Sequence, residues 1–185
     1  MAIKRGMGAA LLAMAVLGAS VNSVTAAREP GAKDASGKET PVGGSGLPVP
    51  RYVSLKSDHV NVRAGPTKDN DVAWVYTKSG LPVEITAEYE NWRRVRDSEG
   101  AEGWVYHSLL SGRRTAVVTM KNKGELALIY DTADLTSPVA AKLEVGVVAQ
   151  VKRCKNGWCR VIGQGFDGWI EQQRLWGVYA DEKVD

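Results

Sequence analysis

The chain repeats itself. Val62, Gly80, Leu81, Ile85, Trp92, Val95 and Leu109 have counterparts 66 residues further on, at Leu128, Gly146, Val147, Val151, Trp158, Val161 and Leu175. Gly103-Trp104-Val105 returns as Gly168-Trp169-Ile170 at an offset of 65, which places a one-residue deletion in the turn before it. Trp-x-x-Val followed by Gly-Trp-Val/Ile, twice in the same order and spacing, marks two copies of one supersecondary unit. The units span 51–113 and 114–178, leaving 179–185 as a tail. A module of this size buries only ~60% of the surface its unfolded chain exposes. Arg113-Arg114 stands between the copies with almost no linker, so each is expected to pack on the other.

Within each copy the apolar residues come in short alternating runs cut by Gly, Pro, Asn and Asp. Examples are Val60-Asn61-Val62-Arg63, Val72-Ala73-Trp74-Val75-Tyr76, Trp92-Arg93-Arg94-Val95-Arg96 and Gly103-Trp104-Val105-Tyr106. Strands this short at ~8–12-residue spacing predict a small sandwich or barrel. No stretch after residue 50 keeps a 3.6-residue apolar period for three turns, so helices should not exceed a single turn. The fold class is all-β.

All six Trp, all six Tyr and the single Phe lie beyond residue 50, so the folded part is expected to begin near Arg51. Residues 1–27 read as a secretory signal peptide: Lys4 and Arg5, then an uncharged apolar run from Gly6 to Ala19, then small residues around Ala26 and Ala27. The apolar run is shorter than the ~20 residues of a spanning helix, so no membrane span is expected once it is cleaved, and the protein should be periplasmic or secreted. Residues 28–50, rich in Gly, Pro, Ser and Lys, suit a disordered, flexible linker. Residues 51–114 carry 10 basic and 9 acidic side chains, and residues 115–185 carry 9 of each. Nucleic-acid binding needs a basic excess that neither module has. Arg93, Arg94 and Arg96 read as the solvated face of one strand.

Val60-Asn61-Val62-Arg63-Ala64-Gly65-Pro66, Gly80-Leu81-Pro82-Val83, Trp92-Arg93-Arg94-Val95 and Gly103-Trp104-Val105-Tyr106 together resemble the bacterial SH3-like (SH3b) domain. The second copy resembles a degenerate member. It keeps Gly146, Trp158-Cys159-Arg160-Val161 and Gly168-Trp169-Ile170, but has Leu126-Ala127-Leu128-Ile129 in place of the Asn-Val-Arg strand. The resemblance implies two tandem five- to six-stranded, partly open β-barrels. It also implies a non-catalytic role in the bacterial envelope, often recognition of peptidoglycan. A pair of such modules behind a signal peptide is similar to small periplasmic proteins of Gram-negative bacteria.

Little in the chain points to catalysis. G-x-S-x-G, H-E-x-x-H and P-loop motifs are absent, and His59 and His107 have no recognisable nucleophile beside them. No cofactor or metal is expected, because both histidines lie in the module without the cysteines. Cys154 and Cys159 flank Asn156-Gly157, the strongest short signal for a two-residue type I′ hairpin turn. That turn pairs Lys155 with Trp158 and sets the cysteines opposite each other at ~4.5 Å between Cα atoms, the short end of disulfide geometry. A cross-hairpin disulfide is expected.

Binding candidates are aromatic. Tyr89 lies between Glu88 and Glu90 at a turn, Trp92 and Trp158 follow hairpin turns beside polar residues, and Tyr76 is near a strand end. Exposed Tyr and Trp next to polar groups suit a recognition surface. Trp104 and Trp169, in the repeated Gly-Trp-Val/Ile, are expected to be core. The function expected is an exported binding module for peptidoglycan or an envelope component. The alternative is a scaffold docking a periplasmic protein partner.

Overall fold

The computed structural model describes residues 32–33, 39–120, 122 and 124–185, and nearly all of its regular structure is β. The expected signal peptide lies outside the described residues. β1 (Ala32–Lys33) and β2 (Glu39–Thr40) form a short antiparallel ladder of their own. Module 1 holds β3 (Arg51–Leu55), β4 (Val60–Arg63), β5 (Val72–Tyr76), β6 (Pro82–Tyr89), β7 (Trp92–Arg96), β8 (Glu102–Tyr106) and β9 (Leu110–Ser111). Module 2 holds β10 (Thr115–Val118), β11 (Ala127–Tyr130), β12 (Val139–Leu143), β13 (Val148–Lys155), β14 (Trp158–Gly163), β15 (Phe166–Glu171) and β16 (Leu175–Trp176).

The strand orders are β5-β4-β8-β7-β6-β3-β9 and β12-β11-β15-β14-β13-β10-β16. Element for element they are the same, so the repeat read in the sequence is a repeat of topology. Each sheet curls over one core. Val60, Val62, Val83, Ile85, Val95 and Val105 fill the first. Ile129, Val151, Val161, Ile170 and both cysteines are among those that fill the second. The helices are single 3₁₀ turns, His107–Leu109 and Gln172–Arg174, each leading into the last short strand of its module.

The conserved geometry of the repeat depends on its glycines before Trp. A Cβ built on Gly168 would sit 2.6 Å from both the Ile129 side chain and the Tyr130 carbonyl oxygen, and one on Gly103 would run into the Val62 side chain. Bare backbone at these positions lets β8 cross β4, and β15 cross β11, at close range. Only one residue pair is in register at each crossing, Arg63 with Trp104 and Tyr130 with Trp169.

The modules pack directly. The Ser54 hydroxyl lies 2.6 Å from that of Thr115 and 2.5 Å from the Arg113 carbonyl. Tyr52 packs edge-on against Trp176, with ring centroids 5.1 Å apart, and against Tyr179 at 4.6 Å. The Tyr179 hydroxyl donates to Glu84, 2.9 Å away in module 1.

Both expected ends of the folded part shift. Residues 41–50, read as the last part of a disordered linker, form a turn closed by Gly43 N–H to Leu47 and Val49 N–H to Pro41. The Glu88 carboxylate holds this turn by accepting from the Ser45 N–H at 2.7 Å and the Ser45 hydroxyl at 2.8 Å. The 179–185 tail is also part of module 2. Val184 is buried and exchanges backbone hydrogen bonds with Cys154, and Glu182 forms a two-pronged ion pair with Arg114. Burial of Val184 and the hydrogen bonds at Tyr179 and Glu182 fix these residues, and neither end has the long apolar run that would announce it. Of the β7 arginines read as a solvated face, Arg94 and Arg96 are exposed as expected and Arg93 is not. Arg93 is buried against Glu88, Arg94 pairs with Glu102 and Arg96 with Glu84.

Candidate functional site

Along β8, Gly103 and Val105 are buried while Trp104 and Tyr106 between and beyond them are half-buried. Side chains alternate across a strand, so Trp104 and Tyr106 turn away from the core. β15 repeats this, with Gly168 and Ile170 inward and Trp169 outward. The expectation that these two tryptophans are core is therefore corrected. Strand alternation puts each Trp on the face opposite the buried Val105 or Ile170 that follows it.

Each outward Trp sits in the middle of a row. Trp104 is opposite Arg63 on one side and Arg94 on the other. Trp169 is opposite Tyr130 and Arg160. The flanking arginine is fixed in both modules by a carboxylate two residues before the Trp. Arg94 forms an ion pair with Glu102 at 2.6 Å, and Arg160 grips Asp167 with two hydrogen bonds of 2.9 and 2.8 Å. The Arg160 guanidinium holds the Asp167 carboxyl below its usual range. Both faces thus present an aromatic ring beside an oriented charge pair, which can stack on an apolar ligand face and hydrogen-bond its polar substituents.

The structure brings some of the expected residues together and separates others. Tyr89 is 52% exposed, directly across the β6–β7 turn from Trp92. Trp92 itself is only 8% exposed, its ring edge-on to Tyr106 at 5.4 Å. It stands directly opposite Tyr106 across the β7–β8 ladder, and its burial leaves little of the ring open to a ligand. Trp158 is half-buried, stands opposite Glu171 on β15 and meets Tyr130 edge-on at 5.7 Å. Tyr76 lies apart, near the opposite end of β7, where its hydroxyl donates to Asp97 at 3.0 Å. Burial, opposed by a side-chain contact from Trp74 and assisted by that bond to Asp97, pushes its phenol well above the ordinary value. It lines a separate groove of about 430 Å³ with Trp74, Asp97 and Val117. Trp104, Trp169, Tyr106, Arg94 and Arg160 were missed as a set. The strand phase of Glu102-Gly103-Trp104-Val105-Tyr106 carries the signal that finds the first module's share of it.

The disulfide forms as the turn predicts. Lys155 pairs with Trp158, Cys154 with Cys159, and the sulfurs are bonded across a Cα–Cα distance of 4.1 Å. Asn156 and Gly157 both take positive φ, 53° and 77°. Among the described residues no three metal-ligating side chains gather, and no helix is long and apolar enough to cross a membrane.

A family model described as "Bacterial SH3 domain" matches the chain twice, over residues 56–112 and 123–177. No curated relative matches. Among solved structures, the chain is similar to NlpC2 and NlpC1 from Trichomonas vaginalis, each at 16% identity, with TM-scores of 0.30 and 0.28. The alignments cover 74% and 79% of this chain and 51% of each of those. An NlpC/P60 family protein from Bacillus cereus matches at 12% identity and a TM-score of 0.27, over 68% of this chain and 55% of that one. The chain thus spans about half the length of the solved structures it matches. The two family matches fall one on each seven-stranded sheet, and the chain belongs to the bacterial SH3 domain family as a tandem pair.

Proposed function

We propose that this protein is an exported, non-catalytic binding module that recognises the bacterial cell wall, with peptidoglycan as its ligand. The observation that carries this reading is the pair of outward tryptophans, Trp104 and Trp169, at the same position of both modules, each beside an arginine–carboxylate pair. A wall polymer is a repeating array of sugar rings with apolar C–H faces and of peptide amides. Indole faces stack on the former and fixed charge pairs bond the latter. Two equivalent sites on one chain also suit a repeating ligand, because the second binding event is then intramolecular.

The test is co-sedimentation of the purified protein with protein-free sacculi at low and moderate salt. Binding that survives moderate salt and weakens in Trp104→Ala and Trp169→Ala, with the near-ultraviolet circular dichroism of the remaining aromatics kept, is the expected result. Binding that both variants retain would take the aromatic faces out of the reading. A second reading, a scaffold docking an envelope protein, rests on a different observation. Leu126, Leu128, Leu135, Val139 and Val145 are exposed on and around the free edge strand β12. No sedimentation with sacculi, together with recovery of one stoichiometric protein from periplasm, would favour it.

A further inference from the structure

We propose that the cleft between the modules is a binding site for a small ligand carrying two or more anionic groups, carboxylates or phosphates. The cleft encloses about 600 Å³ and is built from both modules. Lys56, Lys78, Ser79 and Gly80 come from the first, Ser111 and Arg113 from the junction, and Gln150, Gly163 and Gln164 from the second. It is lined by three cationic side chains and no carboxylate.

That imbalance stands out in a chain whose modules are each close to neutral. Arg51, Arg93, Arg94, Arg96, Arg114, Arg160 and Arg174 all pair with carboxylates of the protein. Among the described residues Lys56, Lys78 and Arg113 have no such partner, and all three are exposed to the cleft's solvent. Arg113 is nevertheless held in place. Its carbonyl accepts the Ser54 hydroxyl, its N–H donates to the Ser111 hydroxyl at 3.2 Å, and one guanidinium nitrogen donates to Gln150 of module 2 at 3.1 Å. A neutral amide therefore orients the guanidinium without cancelling its charge, and the rest of the donor fork stays open. Arginine in that state favours planar, two-pronged bonding to a carboxylate or phosphate. Lys56 and Lys78 add point charges from the module 1 part of the lining, and the hydroxyls and amides of Ser79, Ser111 and Gln164 offer neutral hydrogen bonds. Cations converging in a groove raise the local anion concentration and focus the field. The site is separate from the aromatic faces, so its failure leaves the wall-binding reading as it stands.

The test is titration of the ¹⁵N-labelled full-length protein with sodium pyrophosphate and, separately, with citrate, at ionic strength fixed by sodium chloride. Saturable amide shifts at Lys56, Ser79, Gly80, Ser111 to Arg113 and Gln164 are the expected result. Arg113→Gln and Lys78→Gln should each weaken binding about tenfold, the loss of one charge-assisted bond. Both side chains are exposed, so the amide spectrum away from the cleft should remain that of the folded protein. A response to pyrophosphate alone assigns the site to phosphates, and a response to citrate alone to carboxylates. No saturable shift with either anion, shifts outside the cleft, or shifts that both variants retain would overturn the proposal.

Discussion

Glu90 adopts φ 47°, the left-handed conformation that its counterpart 66 residues on, Asn156, adopts at φ 53°. In this region the Cβ crowds the carbonyl oxygen, and asparagine offsets the cost because its short amide can hydrogen-bond the local backbone, which glutamate does less well. What Glu90 contributes to its surroundings is its backbone carbonyl, which accepts from Arg93 at 2.8 Å, and any residue supplies that. Glu90→Asn should therefore stabilise module 1 by about 0.5–1 kcal/mol. Urea denaturation checks this, and an unchanged or lower midpoint would show that the glutamate side chain has a role of its own. The contrast also shows what local sequence reveals. Asn156-Gly157 announces its turn, and the register of Cys154 with Cys159 follows from it. The Glu90-Asn91 turn is equally tight but carries no such signal, and Trp104 was misplaced because a repeated tryptophan reads as core unless its strand phase is followed.

At the scale of elements, one carboxylate organises the entry to the first barrel. Glu88, near the end of β6, accepts from Arg51 at 2.6 Å and from both Ser45 donors, and forms an ion pair with Arg93 at 3.1 Å. Burial alone would raise its pKa, but the bonds from Arg51 and Ser45 outweigh it and hold the group below its ordinary 4.5. A carboxylate depressed in the folded state adds stability that is complete above its unfolded value and fades as pH falls through the folded one. The 41–50 turn should accordingly stay docked at neutral pH and come free on acidification below about pH 4.5. Glu88→Gln should free it already at pH 7. Hydrogen exchange at the Gly43, Ser45 and Val49 amides reads this out, with the β6 and β7 core amides as the internal standard. Protection that persists in Glu88→Gln would show that the turn is held by Val49 and its neighbours instead. Strand existence and order were legible because alternation is local. The docked turn was not, because its composition is that of a tether and its anchor lies 43 residues away.

At the scale of the molecule, the junction decides whether two small barrels act as one body. Its aromatic part, Tyr52 with Trp176 and Tyr179, closes over Glu84, which also pairs with Arg96. The Ser54 hydroxyl, bonded to the Thr115 hydroxyl and the Arg113 carbonyl, ties the modules at the crossover. Neither module alone has much core, so these contacts should make unfolding at pH 7 a single cooperative transition. The tyrosines give that coupling a pH signature. Burial, and then the negative charge of Glu84, push the Tyr52 phenol up to about 12, and burial and the bond to Glu84 raise Tyr179 as well. A phenol raised in the folded state adds stability that is complete below its unfolded value of 10 and is lost as pH climbs toward the folded one. The melting temperature should thus fall between pH 10 and pH 12. The Tyr52→Phe/Tyr179→Phe double variant, with no phenol to ionise there, should show a flatter fall over the same window. An equal alkaline fall in the variant would trace the loss to another buried phenol such as Tyr76, whereas two separate transitions at pH 7 would mean that the barrels fold independently. In that case Trp104 and Trp169 would no longer be held in one orientation toward a shared polymer, and the cleft that contains Arg113 and Gln150 would lose its fixed walls. The cooperativity of the melt is therefore the physical condition for both binding surfaces.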